Sequence, residues 1–257
     1  MNWKPKNIKP YYEDESVFLI HGDCMEVMPK LDMKFDLVLT SPPYNMKLRI
    51  SKNKYCKRSQ KENGFSSKYL NYSDDLSVEE YYQFQKKTID NLLKLSKQSF
   101  YIIQPLTGNK EALWRLIGTY HKEIKEIIIW DKLNTEPAIH ANVLNSQFEF
   151  IIIFDSFDSR KRAFDNSNFV RGTLSNIFKI HKSRNKIKGH SATFPIELVA
   201  KIIDNFTIIN EWILDPFAGT GTTGRTCKDL GRKCIIIEQE EAYCEIIANR
   251  MLQEVLF

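Results

Sequence analysis

Short apolar runs alternate along the chain with segments of helical length, and this alternation constrains the fold more than any other feature. Buried strands are predicted at residues 16–20, 35–39, 100–103, 124–130, 148–154, 212–214 and 234–237. Helices are predicted between them at residues 24–31, 77–95, 110–120, 195–205, 222–230 and 241–256. Strands that alternate with helices pack as a parallel sheet with helices on both faces. The sequence therefore predicts an α/β fold built on a doubly wound, mostly parallel sheet.

Composition argues against several classes of protein. No apolar run approaches the roughly 20 residues that span a bilayer, and the N-terminus lacks the apolar core of a secretory signal. The five cysteines are odd in number and form no Cys-x-x-Cys pair, which favours reduced thiols over a disulfide framework. The five histidines show no metal-ligand spacing, so we expect no metal site. These features predict a cytoplasmic protein without a membrane segment.

The basic residues are concentrated in two segments. The chain has 257 residues and a net charge of +5. Residues 45–70 contain eight basic residues (lysine or arginine) and one acidic residue. Residues 156–190 contain nine basic residues and two acidic residues. Because phosphate contacts supply much of the affinity of nucleic-acid-binding proteins, this segregation favours a nucleic-acid partner over two ordinary solvated loops. Aromatic residues within the two segments are candidates to stack on unpaired bases: Tyr55, Phe65, Tyr69, Phe164, Phe169 and Phe178.

A stiff corner follows the predicted strand at residues 35–39. It reads Thr-Ser-Pro-Pro-Tyr-Asn over residues 40–45. Each proline fixes its φ angle and lacks an N–H, which leaves the carbonyls of Ser41 and Pro42 to accept hydrogen bonds from a ligand. A planar base with an amino group could donate to this corner while the tyrosine ring stacks on its face. The predicted catalytic residues are Ser41, Pro42, Pro43 and Tyr44.

A glycine loop follows the predicted strand at residues 212–214 and precedes a helix. It reads Asp-Pro-Phe-Ala-Gly-Thr-Gly-Thr-Thr over residues 215–223. Glycines at such a turn let the backbone approach a ligand at the carboxyl edge of the sheet. Glu238, at the end of the next predicted strand, is placed to accept hydrogen bonds from ribose hydroxyls. Because no Gly-Lys-Ser/Thr follows, a nucleoside without phosphates is expected, and Asp215 could face a cationic group on it.

Together the two motifs resemble those of the amino-methylating DNA methyltransferases that use S-adenosylmethionine. Members of this family carry an (Asp/Asn/Ser)-Pro-Pro-(Tyr/Phe) corner and an Asp-x-Phe-x-Gly-x-Gly loop, and the chain has both. The corner precedes the loop, which resembles the permuted β arrangement of the family. The segment Gly189–Pro195 is similar to one that closes over the methionine part of the cofactor, and Gly22-Asp23 is similar to the strand end that approaches its adenine.

The resemblance implies a permuted, Rossmann-like methyltransferase fold with S-adenosylmethionine as its cofactor. The implied cofactor-binding residues are Asp23, Phe194, Asp215, Pro216, Phe217, Ala218, Gly219, Gly221, Thr222 and Glu238. In the implied reaction a base is flipped out of double-stranded DNA and stacked against Tyr44. Its amine donates hydrogen bonds to the Ser41 side chain and the Pro42 carbonyl, which localise the nitrogen lone pair for attack on the methyl group that the cofactor supplies.

The target base and the substrate class both have alternatives. Within the family, serine at the first position of the corner is commoner in N4-cytosine enzymes and aspartate in N6-adenine enzymes, so Ser41 favours cytosine with adenine as the alternative. The same fold could instead methylate RNA or a protein glutamine, although an asparagine-led corner is typical of such amides. A catalytically idle nucleic-acid-binding protein is a further alternative, against which the two intact motifs argue.

The two basic segments are expected to divide the contacts with DNA. Residues 1–155 would form the catalytic half with a DNA loop at 45–70, residues 156–190 an inserted target-recognition region, and residues 191–257 the cofactor-binding half. The predicted DNA-binding residues are Lys47, Arg49, Lys52, Lys54, Lys57, Arg58, Arg171, Lys182, Arg184, Lys186 and Lys188. The resemblance also allows a homodimer and, as part of a restriction-modification system, a cognate restriction endonuclease that acts on the same site.

Overall fold

A computed structural model describes residues 4–5, 7–46, 75–135, 141–156, 161–164, 167–183 and 194–253, and the backbone of 50–51 and 54–55. The strands within these residues are β1 Tyr12–Glu13, β2 Val17–His21, β3 Phe35–Thr40, β4 Ile50–Ser51, β5 Lys54–Tyr55, β6 Ser96–Ile103, β7 Ile124–Asp131, β8 Phe148–Asp155, β9 Ile177–Lys179, β10 Trp212–Asp215 and β11 Lys233–Glu238. The helices are α1 Cys24–Val27, α2 Val78–Leu95, α3 Lys110–Thr119, α4 Ile196–Phe206, α5 Thr222–Asp229 and α6 Glu241–Met251. None of these helices is both long enough and apolar enough to cross a membrane.

Nine of the described strands form one sheet in the order β1-β2-β11-β10-β3-β6-β8-β7-β9. The five consecutive strands β2, β11, β10, β3 and β6 are parallel to one another. Strand β8 is antiparallel to both of its neighbours, and β9 is parallel to β7. The predicted doubly wound, mostly parallel sheet is confirmed. Strands β10 and β11 come last in the chain and yet lie between β2 and β3, as the permuted arrangement requires.

Helices cover both faces of the sheet, because side chains alternate between the faces along each central strand. In β3, Leu37 and Leu39 belong to the apolar layer that contains residues of α4, α5 and α6. The intervening Val38 belongs to the opposite layer, with residues of α1, α2 and α3. All three side chains are fully buried. The central strands are therefore nearly continuous apolar runs, as is typical of parallel strands that are covered on both faces.

The long helix α2 begins at a capping box. The Ser77 hydroxyl accepts a hydrogen bond from the Glu80 backbone N–H at 3.2 Å, and the Glu80 carboxylate accepts one from the Ser77 N–H at 2.9 Å. These bonds satisfy backbone donors that the first turn of a helix leaves without partners. The capping box was predicted from the sequence and is confirmed.

Several element boundaries differ from the sequence prediction. The helix predicted at residues 24–31 ends at Val27 and continues as a 3₁₀ turn over Met28–Lys30, where Pro29 cannot donate a backbone hydrogen bond. Strand β6 begins at Ser96, directly after α2, and not at residue 100. Helix α6 ends at Met251, and the predicted helical residues 254–256 lie outside the described part of the chain.

Strand β9 was not predicted, and it lies within the proposed target-recognition region at residues 156–190. It pairs in parallel with β7 at the edge of the main sheet. The Phe178 side chain is fully buried in the apolar layer. Part of the proposed target-recognition region is therefore an edge of the main sheet.

Two further aromatic residues of this region also pack against the core. The rings of Phe164 and Phe169 lie 5.1 and 5.4 Å from the ring of Phe206. The prediction that Phe178 stacks on bases is wrong, because its ring is fully buried. Phe164 and Phe169 are half-buried against the core, and their stacking on bases stays a prediction. The side chains of Tyr55, Phe65 and Tyr69 lie outside the described residues.

Two glycine-to-alanine substitutions are expected to have opposite effects on stability. Gly221 has a φ angle of +76°, and an added Cβ would lie 2.8 Å from Ile247 Cγ1. Gly221→Ala should therefore lower the free energy of unfolding by about 1–3 kcal/mol. Gly118→Ala is the control, because nothing lies within 4 Å of its Cβ position in α3, and alanine should raise stability there by about 0.5–1 kcal/mol. Urea unfolding measures the stability of both variants. A Gly221→Ala protein with the wild-type midpoint would contradict the close packing of Gly221 against Ile247.

Candidate active site

The two predicted motifs follow neighbouring strands of the sheet. Strand β3 ends at Thr40, immediately before the proline corner, and β10 ends at Asp215, the first residue of the glycine loop. Because β3 and β10 are parallel, both motifs leave the same edge of the sheet. Strands β11 and β2 end at this edge as well, with Glu238 and His21. Four consecutive strand ends therefore lie side by side at the place where open α/β sheets bind ligands, here called the crevice.

The Asp215 carboxylate connects the two motifs. The Thr40 hydroxyl donates to Asp215 Oδ1 at 3.0 Å, although the two residues are 175 positions apart in the chain. The Thr223 hydroxyl donates to Asp215 Oδ2 at 2.6 Å, and the Phe217 N–H donates to Oδ1 at 3.1 Å. Only 2% of Asp215 is exposed, and burial raises its pKa to about 6. Both oxygens therefore hold the loop in place, and the expectation that Asp215 faces a cationic ligand is not supported.

The Glu238 carboxylate lies at the end of β11 and is held by backbone donors. It accepts hydrogen bonds from the Gly219 N–H at 2.7 Å and from the Glu240 N–H at 2.9 Å. Burial raises the pKa of this carboxyl to about 7, against the opposing effect of these hydrogen bonds. An ionised carboxylate has about four acceptor positions. Glu238 can therefore bind the glycine loop and still accept hydrogen bonds from a ligand.

The glycine loop is compact and closely packed. Its turn is closed by a hydrogen bond from the Gly221 N–H to the Ala218 carbonyl at 2.8 Å. Gly219 and Gly221 both have positive φ angles, which side chains with a Cβ rarely adopt. The predicted cofactor-binding residues that are buried in this loop are Asp215, Pro216, Ala218, Gly221 and Thr222, whereas Phe217 and Gly219 are half-buried. The half-buried pair therefore forms the part of the loop that is open to a ligand.

Two of the predicted cofactor-binding residues lie outside the loop. Asp23 is exposed just after the end of β2, where its carboxylate caps α1 by accepting from the Met25 N–H at 2.8 Å. The adjacent Gly22 N–H donates to the Glu238 carbonyl at 3.0 Å, which keeps the ends of β2 and β11 together. Phe194 is half-buried and packs against the apolar layer of α4, α5 and α6. Asp23 thus lies at the crevice, and Phe194 borders the core.

The proline corner is supported from behind by two side chains of α2 and one from the loop before α3. The Pro43 carbonyl accepts hydrogen bonds from the Tyr81 hydroxyl at 2.8 Å and from Gln85 Nε2 at 3.1 Å. The Tyr44 carbonyl accepts one from Asn109 Nδ2 at 2.7 Å. No side chain in the described part of the chain donates to the carbonyl of Ser41 or to that of Pro42. These two carbonyls, of Ser41 and Pro42, are the ones that the sequence predicted to be available for a ligand.

The side chains of the corner are connected to a buried ion pair. The Ser41 hydroxyl donates to the Tyr44 hydroxyl at 3.0 Å, which in turn donates to Glu149 Oε2 at 2.7 Å. Lys132 Nζ lies 3.2 Å from Glu149 Oε1. Ser41 is half-buried, whereas Tyr44 is buried with both of its hydroxyl contacts inside the protein. The hydrogen bonds of its hydroxyl therefore fix the Tyr44 ring beside Ser41.

Most of the predicted DNA-binding residues lie outside the part of the chain that the structure describes. These residues are Lys47, Arg49, Lys52, Lys57, Arg58, Arg184, Lys186 and Lys188, together with the side chain of Lys54. The two that are described, Arg171 and Lys182, are exposed. Lys182 is positioned by its backbone N–H, which donates to Asn134 Oδ1 at 2.9 Å. The contacts of the basic segments with DNA stay a prediction.

Sequence reasoning missed several residues that shape the site: Thr40, Tyr81, Gln85, Asn109, Lys132 and Glu149. One signal was present, because Glu149 interrupts the apolar strand at residues 148–154, and a carboxylate in a buried strand requires a partner. Nothing in the sequence distinguishes Asn109, just before α3, or Gln85, within α2, from other polar residues. Their roles depend on which elements meet in the folded chain.

Comparison with known proteins identifies the family. The DNA methylase family that comprises N6- and N4-methylating members matches residues 35–249, most of the chain. The type II methyltransferase M2.LlaDCHI of Lactococcus lactis subsp. cremoris is 26% identical over 260 residues, which cover 95% of this chain and 92% of that protein. The family match over residues 35–249 includes the proline corner, the glycine loop and Glu238.

Solved structures with the same fold include a DNA methyltransferase and a complex with SAM. The PvuII DNA methyltransferase, named as cytosine-N4-specific, superposes with a TM-score of 0.71 at 18% identity and covers 98% of this chain and 92% of its own. A complex of M1.HpyAVI with SAM superposes with a TM-score of 0.59 at 20% identity. The superposition covers 91% of this chain and 99% of that chain. At these identities the likeness shows the fold alone, whereas the match over residues 35–249 shows the family. The chain belongs to the N6/N4 DNA methylase family.

Proposed function

We propose that this DNA methylase transfers a methyl group from S-adenosylmethionine to the exocyclic N4 amine of a cytosine that is flipped out of double-stranded DNA. One observation carries the proposal. The Thr40 hydroxyl donates to the Asp215 carboxylate at 3.0 Å and so holds the proline corner beside the glycine loop. A base at the corner and a nucleoside at the loop would therefore be neighbours, and such proximity is a large part of the catalysis of group transfer.

The residues of the crevice fit a nucleoside cofactor without phosphates. Glu238 offers a buried carboxylate to ribose hydroxyls, and Asp23 lies at the adjacent strand end for the base of the cofactor. Phe217 and Gly219 are the half-buried residues of the loop and would contact the same ligand. S-adenosylmethionine, when bound, supplies an activated methyl group.

The proline corner is suited to activate an exocyclic amine. Such an amine is a poor nucleophile because its lone pair is delocalised into the ring. Hydrogen bonds from the amine to the Ser41 Oγ and the Pro42 carbonyl would favour tetrahedral geometry at nitrogen and localise the lone pair. A base within a duplex cannot reach this corner, so the base must be flipped out, with Tyr44 forming the wall against which it packs.

Cytosine is proposed as the target base on the identity of Ser41. A hydroxyl is a neutral acceptor, whereas the aspartate that is commoner in the adenine-methylating members is charged. The PvuII enzyme, which shares the fold with a TM-score of 0.71, is named as specific for cytosine N4. The similarity to a type II methyltransferase supports placement in a restriction-modification system with a cognate endonuclease. Arg171 and Lys182 would contribute to DNA binding, and a homodimer is part of the proposal.

Methyl transfer to DNA is the first test of this function. The protein is incubated with S-adenosylmethionine carrying a labelled methyl group and with unmodified genomic DNA, and the product nucleosides are separated. We expect label in N4-methylcytosine. Label in N6-methyladenine would overturn the choice of base and keep the reaction class. Label in RNA or protein substrates, with none in DNA, would overturn the proposed substrate.

Ser41→Ala should separate catalysis from cofactor binding. Removal of this hydroxyl is expected to lower the rate of methyl transfer by about 100-fold, the usual size for one hydrogen bond that matters in the transition state. The affinity for S-adenosylmethionine should change little, because Ser41 belongs to the corner and not to the loop. Ser16→Ala, at the opposite edge of the sheet before β2, is the matched control. A Ser41→Ala protein with the wild-type rate would remove this hydroxyl from the mechanism.

Cofactor affinity should depend on pH through Glu238. Burial raises the pKa of this carboxyl to about 7 in the free protein, and the ionised form is the better acceptor for ribose hydroxyls. Between about pH 6 and pH 8 the group loses its proton, so the affinity of the wild-type protein should rise about tenfold. Calorimetric titration of the wild type and of Glu238→Gln measures this difference.

The Glu238→Gln protein is the control for protons that titrate on the cofactor itself. It should bind S-adenosylmethionine more weakly, and its affinity should lack the part of the pH dependence that belongs to Glu238. Equal pH dependence in both proteins would contradict a role for this carboxylate in ribose binding.

A further inference from the structure

A chain of hydrogen bonds connects the proline corner to a carboxylate on another strand. It runs from the Ser41 hydroxyl to the Tyr44 hydroxyl at 3.0 Å and from there to Glu149 Oε2 at 2.7 Å. Lys132 Nζ donates to the other oxygen, Glu149 Oε1, at 3.2 Å. No other described side chain makes a hydrogen bond with the Ser41 hydroxyl. The ion pair therefore reaches the target site through two hydroxyls.

The position of Glu149 follows from the antiparallel strand β8. Because β8 runs opposite to β6, its first residues lie beside the carboxyl end of β6, where Phe150 pairs with Ile103. Glu149 pairs with Trp130 of β7, and Lys132 follows the end of that strand. The mixed part of the sheet thus brings an acid and a base to the edge at which the parallel strands end.

The ion pair is buried, which makes a purely stabilising role a poor explanation. The exposed fractions are 9% for Tyr44, 9% for Glu149 and 6% for Lys132. Removal of two charges from water costs several kcal/mol per ion, and a well-packed apolar pair of similar volume is often as stable. A buried pair that contacts the catalytic corner is better explained by what it does to that corner.

The carboxylate determines the direction of every hydrogen bond in the chain. Glu149 Oε2 accepts the hydrogen bond of the Tyr44 hydroxyl, so the Tyr44 proton points toward it. The Tyr44 oxygen is then the acceptor for the Ser41 proton. Both protons therefore point away from the place of the target amine, and the Ser41 oxygen presents lone pairs to that place. Hydrogen bonds in such a chain also polarise one another, which strengthens the acceptor at its end.

We propose that Glu149, held by Lys132 and acting through the Tyr44 hydroxyl, is a positioning residue that makes Ser41 a hydrogen-bond acceptor for the target amine. This inference rests on the proposed function. A serine free to rotate could donate its own proton to the amine nitrogen and so occupy the lone pair that must attack. With its proton directed to Tyr44, the serine resembles a carboxylate in that it accepts and does not donate.

A double-mutant cycle tests the connection. The variants are Tyr44→Phe, which removes one oxygen, Glu149→Gln, whose amide both donates and accepts, and the double substitution. Single-turnover methylation is measured with DNA and S-adenosylmethionine at saturation. We expect each single substitution to lower the rate about tenfold, with the affinities for DNA and S-adenosylmethionine within twofold of wild type. The double variant should be no slower than Tyr44→Phe, because without that hydroxyl Glu149 has no connection to Ser41.

A compensated variant separates positioning from stability. Glu149→Gln leaves Lys132 buried without its charged partner and should lower stability for that reason alone, whereas Lys132→Met combined with Glu149→Gln removes both charges. We expect the combined substitution to restore the thermal midpoint but to keep the tenfold slower rate. If Glu149→Gln does not fold, this pair takes its place in the cycle. Recovery of the wild-type rate together with stability would overturn the proposal.

The remaining outcomes distinguish this inference from the proposed function. Rate losses that multiply in the double variant, or wild-type rates in Tyr44→Phe and Glu149→Gln, would overturn the positioning role while DNA methylation by the wild type stands. A wild-type protein that binds S-adenosylmethionine and labels no DNA base would overturn the proposed function and this inference together.

Discussion

The buried contact between Asp215 and Thr40 is the interaction on which the rest of the site depends. It joins the end of β10 to the end of β3 and so fixes the distance between the glycine loop and the proline corner. The same carboxylate is bound by the Thr223 hydroxyl and the Phe217 N–H, which hold the loop against the first turn of α5. Because the carboxylate is buried, each of these donors is needed to offset its loss of water. The two halves of the site are thereby held as one unit.

Three buried carboxylates lie around the crevice, and the fold supplies different partners to each. Asp215 is bound by hydroxyls and one amide, Glu238 by backbone amides, and Glu149 by a lysine and a tyrosine. Where the surroundings lack a cation, burial raises the pKa, as for Asp215 and Glu238. The Glu149 Oε1 atom lies 3.2 Å from Lys132 Nζ. The three carboxylates therefore have different roles. Asp215 holds the glycine loop, Glu238 keeps acceptor positions for a ligand, and Glu149 is proposed to orient Ser41.

The sequence was sufficient to predict the strands and helices of the central sheet but not its edges. Strand β3 and helix α2 were predicted closely, because a buried strand is an apolar run and a capping box has a fixed spacing. Strand β9 was missed, since three residues with exposed ends carry little pattern. For the same reason Phe178 was assigned to DNA, although its buried ring belongs to the core. A short strand that pairs with a strand distant in the sequence has no pattern among its own residues that predicts it.

The sequence by itself determined the order of strands and helices, the proline corner, the glycine loop and the acid at the end of β11, because each depends on neighbouring residues and local backbone geometry. Only the tertiary structure decided which strand ends meet, so the contact of Thr40 with Asp215 and the chain from Ser41 to Glu149 could not be predicted. Thr40 and Asp215 are 175 positions apart in the chain, and Tyr44 and Glu149 are 105 positions apart. A single hydrogen bond joins each pair. Such contacts follow from the order and direction of strands in the sheet, which the whole hydrophobic core determines together.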